Sequence, residues 1–257
     1  MKLNDDQARQ FRHEGYLLLR NFVPADRCDR MRSTIEAHLK RAEPPVEFEA
    51  ELGYPGAPAS LEAPGGKTVR RLRDAYHRAP CFRDWATSPE LVTMLSQLLE
   101  EQVCLVLAHH NCVMTKHPDY GTATGWHRDI RYWSFLRNEL ITVWLALGEE
   151  TEKNGGLQFI PGSHRLMVQP EQLDKLDFLR PDHPQNQALF KQGITPTLQK
   201  GDIVLFHSGL FHAAHRNETK NVKMSVAFAY RGKSNLPQPG TRSAAAGDVP
   251  LGSEEAG

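Results

Sequence analysis

Apolar positions along the chain change their period near residue 103. Before that point they recur at helical spacing. Pro24 to about Arg41 puts Met31, Ile35 and Leu39 on one side with charges between them, an amphipathic helix of the kind a proline can open. Residues 88–101 set Leu91, Met94, Leu95, Leu98 and Leu99 on one face of a second helix. A shorter helix is marked by Asn4 with Gln7 three residues on, a reciprocal cap, and it must stop before Gly15. Tyr16–Val23 then reads as a strand. Residues 42–67 are rich in Pro, Gly, Ala and Glu without any period, which predicts a long loop.

From 103 to about 230 the pattern is that of strands separated by turns. The run from Leu140 to Leu147 ends in a polar turn, Gly148 to Asn154, and Gly155 to His164 is a second strand closed by Pro161-Gly162. Lys200-Gly201-Asp202 turns into a strand ending at Phe206, and Gly209 to His212 begins another. Lys233 to Gly257 holds Gly, Ala, Ser and Pro without an apolar face, so the reading there is a disordered tail. The expected plan is α+β and mainly β: a helical and loop part over 1–102, a sandwich or barrel over 103–232, together one domain of 1–232. A chain of 257 residues needs no further division.

Composition removes some function classes. Lys plus Arg equals Asp plus Glu at 31 each, so bulk charge marks no nucleic-acid or acidic-membrane partner. No stretch is long and apolar enough for a membrane span, and the N-terminus lacks the apolar core of a signal peptide. Cys28, Cys81, Cys104 and Cys112 show no CxxC spacing and read as reduced thiols of a cytoplasmic protein. No heptad or exposed apolar strip indicates an oligomer.

The candidate chemistry lies in Gly125-Trp126-His127-Arg128-Asp129, taken with His212. A histidine and a carboxylate two residues apart on extended backbone project to the same side. A second imidazole from a distant strand completes the two-His, one-carboxylate set of non-haem Fe(II) oxygenases, with three coordination positions left open. His-x-Asp alone is a common tripeptide in a chain with 12 histidines, so context carries the reading. On strand parity His207 is a rival ligand. His215 is a weaker one, in a polar turn.

That context resembles the phytanoyl-CoA dioxygenase family of Fe(II)- and 2-oxoglutarate-dependent oxygenases, which includes ectoine hydroxylase. The matching stretches are Trp126 to Asp129, Asn154 to His164 and Gly201 to His212, with Phe11 to Val23 as a fitting entry; the likeness covers roughly 5–232. It implies a double-stranded β-helix, or jelly roll, braced by the N-terminal helices. It also implies His127, Asp129 and His212 as iron ligands, favouring His212 over His207. The implied reaction hydroxylates an aliphatic C–H bond of a small molecule or a carrier-linked acyl group, with O2 consumed and 2-oxoglutarate converted to succinate and CO2. Desaturation or epimerisation on the same iron centre is an alternative, as is a non-catalytic metal-binding jelly roll. Halogenation is disfavoured because Asp129 is present.

The family usually holds the far carboxylate of 2-oxoglutarate with an arginine on the strand after the distal histidine, and a serine two residues on. Here the position is Lys223, with Ser225 in place, and Trp144 is expected on a strand facing the co-substrate or the sheet interior. Lysine binds a carboxylate as a point charge, without arginine's two-pronged geometry. Ala214 stands where relatives often carry a hydroxyl. Arg216 and Arg231 are the other candidate anchors. Tyr132 and Trp133 are candidates for a substrate wall, and Arg70, Arg71 and Arg73 form a basic cluster able to meet an anion or simply to be solvated. His164 reads as a turn residue or a support to the site. His109 and His110, being adjacent on a strand, cannot both face inward, and packing is the default for each. The long segment 165–197 is either a lid or a solvated insert.

Overall fold

The reciprocal cap forms as its spacing predicts. Gln7 N–H donates to Asn4 Oδ1 at 2.9 Å and Asn4 N–H to Gln7 Oε1 at 3.0 Å. The cap opens α1 (Asp5–Glu14), which ends at Gly15 with φ 79°, and β1 (Tyr16–Leu19) follows. This strand is shorter than its apolar run because Asn21, at φ 48°, turns the chain before Phe22 and Val23. Pro24 precedes α2 (Ala25–Arg41), whose Cys28, Met31 and Ile35 are buried. The expected long loop contains a short strand, β2 (Val46–Phe48), paired antiparallel with β3 (Val69–Arg73). Its residues are only half-buried, too weak a pattern to show in the sequence. Three helices, α3 (Ala75–Arg78), α4 (Pro80–Ala86) and α5 (Pro89–Leu99), complete the N-terminal part. The computed structural model describes residues 1–252.

Then come β4 (Val103–Lys116), β5 (Thr124–His127), β6 (Leu140–Ala146) and β7 (Leu157–Phe159). After α6 (Pro184–Phe190) follow β8 (Ile203–His207), β9 (His212–Ala214) and β10 (Lys223–Gly232). One large sheet runs β1-β8-β6-β10-β4-β3-β2, and a small one runs β5-β9-β7; the ladders in both are antiparallel.

Strand parity decides what each face of the large sheet does. Ile141, Val143 and Leu145 of β6, Ile203 and Leu205 of β8, and Met224, Val226, Phe228 and Tyr230 of β10 face one way. There they share a core with Met31, Ile35, Trp85, Leu91 and Met94 of the helices. Trp144 and Ala146, Val204 and Phe206, and Ala227 face the other way and meet Leu157 and Phe159 of the small sheet. Burying both faces explains why these strands read as nearly continuous apolar runs. Each fully buried large side chain contributes about 1.5–3 kcal/mol, so the helical brace holds the sheet and leaves its inner face free for chemistry.

The tail differs from expectation. Residues 233–252 fold back, with α7 (Arg242–Ala245) and β11 (Asp248–Leu251) pairing antiparallel with residues 103–106 of β4. Arg231 Nε donates to Asp248 Oδ2 at 2.7 Å, and buried Ser243 bonds His109 Nε2 at 2.7 Å. Order comes here from the ladder and polar bonds, with Leu251 and Val249 packing against the main core. The rest of the expected disordered tail, 253–257, lies outside the described residues. Among the described residues no helix is long and apolar enough to cross a membrane, and the four cysteines are free.

Candidate metal centre

His127 at the end of β5 and His212 at the start of β9 are direct partners across the small sheet, with ring centroids 4.1 Å apart. Asp129 follows on a short 3-10 turn and is buried. One ligand atom from each of the three lies within 4.8 Å of the others. Both imidazoles are fixed by their own backbone. His127 Nδ1–H donates to the Gly125 carbonyl at 2.9 Å and His212 Nδ1–H to the Leu210 carbonyl at 3.0 Å. A carbonyl only accepts, so Nδ1 carries the proton and Nε2 keeps its lone pair.

Asp129 is held on both oxygens. His110 Nε2–H donates to Oδ1 at 2.8 Å and Thr142 Oγ1–H to Oδ2 at 3.0 Å, while His212 Nε2 lies 3.4 Å from Oδ1. Burial by itself would raise the Asp129 carboxyl; the His110 imidazolium, by its charge and its hydrogen bond, outweighs it and holds the group well below the usual range. Burial also lowers His110, but Asp129 outweighs it and lifts that imidazole to about 9. His127 is pushed well below its ordinary value by burial and then by His212, which favours the neutral ring a metal requires. Two neutral imidazoles, one ionised carboxylate and an outer hydrogen-bond shell fit Fe(II).

The rival histidines are elsewhere. His207 Nδ1 accepts from Gly209 N–H at 2.9 Å, with its ring against His164. His164 bonds the Arg12 carbonyl in its turn, and His215 is exposed.

Sequence parity missed His110. Between Asn111↔Phe228 and Val106↔Ala229 the β4–β10 register jumps, so residues 107–110 bulge out of the ladder. Parity does not hold across a bulge. His109 and His110 can therefore both turn inward, the first against Ser243 and Trp133, the second onto Asp129. Trp133 is thereby buried behind His109 and His110, while Tyr132 is exposed.

Lys223, Ser225 and Trp144 do converge beside the metal cluster, and on a shared acceptor. Glu150, in what reads as a polar turn, is fully buried. Its Oε1 accepts from Ser225 Oγ at 2.5 Å and Trp144 Nε1 at 3.1 Å, and its Oε2 from Lys223 Nζ at 3.2 Å. Lys223 also lies 4.9 Å from the centroid of the Trp144 ring. The sequence signal for Glu150 was indirect: a buried lysine needs an anion nearby. Arg216 bonds the Gly56 carbonyl and Arg231 pairs with Asp248, so both other candidate anchors are engaged elsewhere.

The basic cluster on β3 divides. Arg70 is buried, 3.3 Å from Glu49, and Arg71 is 3.1 Å from Glu47; both line the cavity in front of the histidines, whereas Arg73 is exposed. The insert 165–197 packs against β5 beside His127. Leu179 N–H donates to the Trp126 carbonyl at 2.8 Å, and the Phe178 ring packs 5.4 Å from that of His127.

Antiparallel sheets with such a cluster at the small sheet suit a non-haem iron enzyme. Comparison with known proteins agrees. The model of the family described as Phytanoyl-CoA dioxygenase (PhyH) matches residues 11–225, and the chain belongs to this family. A probable phytanoyl-CoA dioxygenase of Caenorhabditis elegans is 25% identical over 235 residues, covering 89% of this chain and 75% of that protein. The peroxisomal human phytanoyl-CoA dioxygenase is 24% identical over 233 residues, covering 86% of this chain and 66% of its own length. Among solved structures, EctD from S. alaskensis with bound Fe superposes with a TM-score of 0.74 at 23% identity, covering 92% of this chain and 79% of EctD. The 2-oxoglutarate-dependent epimerase SnoN from nogalamycin biosynthesis gives 0.73 at 20% identity, covering 97% and 95%.

Proposed function

We propose that this protein binds Fe(II) through His127, Asp129 and His212 and hydroxylates an aliphatic C–H bond of a small molecule or a carrier-linked acyl group. The observation that carries the reading is the paired Nδ1 locks, which leave two Nε2 lone pairs facing one anchored carboxylate. The two sheets are read as the two halves of a double-stranded β-helix. Four free thiols support a cytoplasmic setting, although some relatives are peroxisomal.

Iron with 2-oxoglutarate and O2 supplies the oxidising power to break an unreactive C–H bond, with succinate and CO2 as co-products. The chain's own residues place and protect that chemistry. His110 and Thr142 keep Asp129 ionised and aimed. Trp144, Leu157 and Phe206 form an apolar wall beside the histidines, and Phe178 covers His127; together they limit water access. The far carboxylate of 2-oxoglutarate is directed to the cationic end of the cavity, built around Lys223, Ser225 and Trp144. The substrate enters from the side bordered by Arg71 and the 165–197 insert.

Anaerobic titration with Fe(II) and then 2-oxoglutarate tests the reading. The expected result is a visible absorption band from chelation, lost in His212→Ala. Iron binding with no band in the wild-type protein would sink it. Product analysis then separates hydroxylation from epimerisation or desaturation.

A further inference from the structure

Arg70 and Arg71 line the cavity in front of the histidines, and Arg131 joins them through Tyr54, whose ring centroid lies 5.4 Å from the Arg70 guanidinium. Arg70 pairs with Glu49 and Arg71 with Glu47. Arg131 has no such partner: among the described residues no carboxylate lies within ion-pair distance of it. Its guanidinium is held between two rings, 3.8 Å from the centroid of Phe178 and 4.2 Å from that of Tyr132. Nη1 donates to the Leu176 carbonyl, Nη2 reaches the Tyr54 hydroxyl only at 3.5 Å, and buried Nε has no acceptor. The Nε–Nη2 edge, with which a guanidinium grips a carboxylate by two parallel bonds, is therefore the under-used side.

Local structure fixes this stack. Asp174 Oδ1 accepts from Leu176 N–H at 2.8 Å and from Phe178 N–H at 3.0 Å, and Asp174 N–H donates to the Phe178 carbonyl at 2.8 Å. That tight turn presents the Leu176 carbonyl and the Phe178 ring to Arg131. Phe178 also meets Tyr54 edge-on, with ring centroids 5.4 Å apart, and a Cβ on Gly125 would come within 3.2 Å of its ring. The loop after β2, the metal-binding turn and the insert thus meet on one cation.

We propose that Arg131 recognises the anionic group of the substrate, and that the substrate is a compact organic acid whose own carboxylate lies close to the carbon that is oxidised. The inference rests on the dioxygenase reading above and narrows its substrate to the free small molecule.

Proximity decides between the two kinds of substrate. Arg131 follows the metal-binding Asp129 by two residues within one 3-10 turn. An anion held there lies within a side chain's reach of the metal. The phosphates of an acyl carrier are a long flexible arm away from the acyl chain and would sit elsewhere. Tyr132 is 51% exposed, so the stack is open to an acid arriving from solvent. A carboxylate on the Nε–Nη2 edge displaces the Tyr54 hydroxyl, the weaker of the two existing bonds, and supplies the acceptor that Nε lacks. Met114, Trp144 and Phe206 of the cavity wall then receive the apolar body. A residue that only stapled the insert would need no more than the bond to Leu176, which an uncharged donor can also make.

The test uses matched acids and amides, cyclohexanecarboxylate with cyclohexanecarboxamide and hexanoate with hexanamide, and hexanoyl-CoA as the carrier-linked arm. Each is added anaerobically to protein loaded with Fe(II) and saturating 2-oxoglutarate, and perturbation of the chelation band reports binding beside the metal. In wild type an acid should bind at least about tenfold more tightly than its amide, as a buried charge pair implies. Arg131→Gln keeps a donor for the Leu176 carbonyl without the charge and should remove that preference. Arg131→Lys keeps the charge without the two-pronged geometry and should lower the preference without erasing it. Equal affinities for acid and amide in wild type overturn the proposal, as does a preference that survives in Arg131→Gln. A band perturbed by hexanoyl-CoA alone, or by no member of the panel, overturns it too and returns Arg131 to a staple of the insert. Should Arg131→Gln fail to fold by circular dichroism, Arg131→Lys still decides, since an unchanged preference there overturns the proposal. All of these outcomes leave the dioxygenase reading in place. A wild type that binds iron yet shows no chelation band with 2-oxoglutarate overturns that reading and this inference together.

Discussion

His110 Nε2 donates to Asp129 Oδ1 at 2.8 Å, so a histidine outside the metal cluster orients its one carboxylate. Such outer partners commonly change metal affinity by about 10–100-fold when removed. His110→Phe is therefore expected to weaken Fe(II) binding by that order while the fold persists. A calorimetric titration of the apoprotein with Fe(II) under argon checks it, and unchanged affinity would reduce His110 to a packing residue.

Replacing a ligand should cost more than replacing its support. His212→Ala or Asp129→Ala is expected to abolish stoichiometric iron, measured by metal analysis after gel filtration. His207→Ala, five residues from His212 and engaged with Gly209, should retain it. Iron lost in His207→Ala and kept in His212→Ala would reverse the assignment.

Phe228 lies on the helix-facing side of β10 and is fully buried. Truncation to alanine leaves a cavity and is expected to cost about 3–5 kcal/mol in denaturant unfolding. The inner face of the same strand carries the cavity residues, so iron affinity of the folded fraction should change little. Loss of metal binding without loss of stability would contradict that division of faces.

A buried histidine and a half-buried one make stability depend on pH. Burial, then Arg242 and His110, lowers His109 to about 3, and burial, then His164, lowers His207 to about 4. In the unfolded chain both titrate near 6.5. Between the folded and unfolded values the unfolded state binds more protons, so the stability they contribute is present above 6.5 and falls as pH drops toward 4. The melting temperature should decline from pH 7 to pH 4.5, less steeply in His207→Gln. A steeper decline in that variant would refute the assignment.

Deleting residues 233–257 should destabilise the protein although this segment has no apolar stripe. The loss includes the Asp248 partner of Arg231, the Ser243 partner of His109 and the β11 ladder. Deleting only 253–257 should leave the melting temperature unchanged, and equal melting temperatures for all three chains would show the tail to be dispensable.

The sequence made the scaffold and the convergence of His127, Asp129 and His212 legible for separate physical reasons. Amphipathic periods at Met31–Ile35 and Leu91–Leu95, and two-sided apolar runs at β6 and β10, are local patterns that tertiary structure left intact. His127 and Asp129 share a tripeptide, and His212 stands in a motif of its own. What escaped was non-local. His110 turns inward through a bulge, which parity cannot foresee. Glu150 looks like one more acid in a polar turn until β10 brings Lys223 to it. The tail becomes ordered through backbone pairing that brings two apolar residues, Val249 and Leu251, to the core, too short a pattern to stand out in the sequence.

β4 shows what that ordered tail protects. β10 runs along one of its edges, while β3 and β11 divide the other, β3 at residues 112–114 and β11 at 103–106, on either side of the bulge. A strand of this length would otherwise present a stretch of free N–H and C=O groups to any extended chain that passed. Among the described residues the last strand thus occupies a stretch of edge that could otherwise take up a foreign strand, and the tail acts as a cover for the sheet.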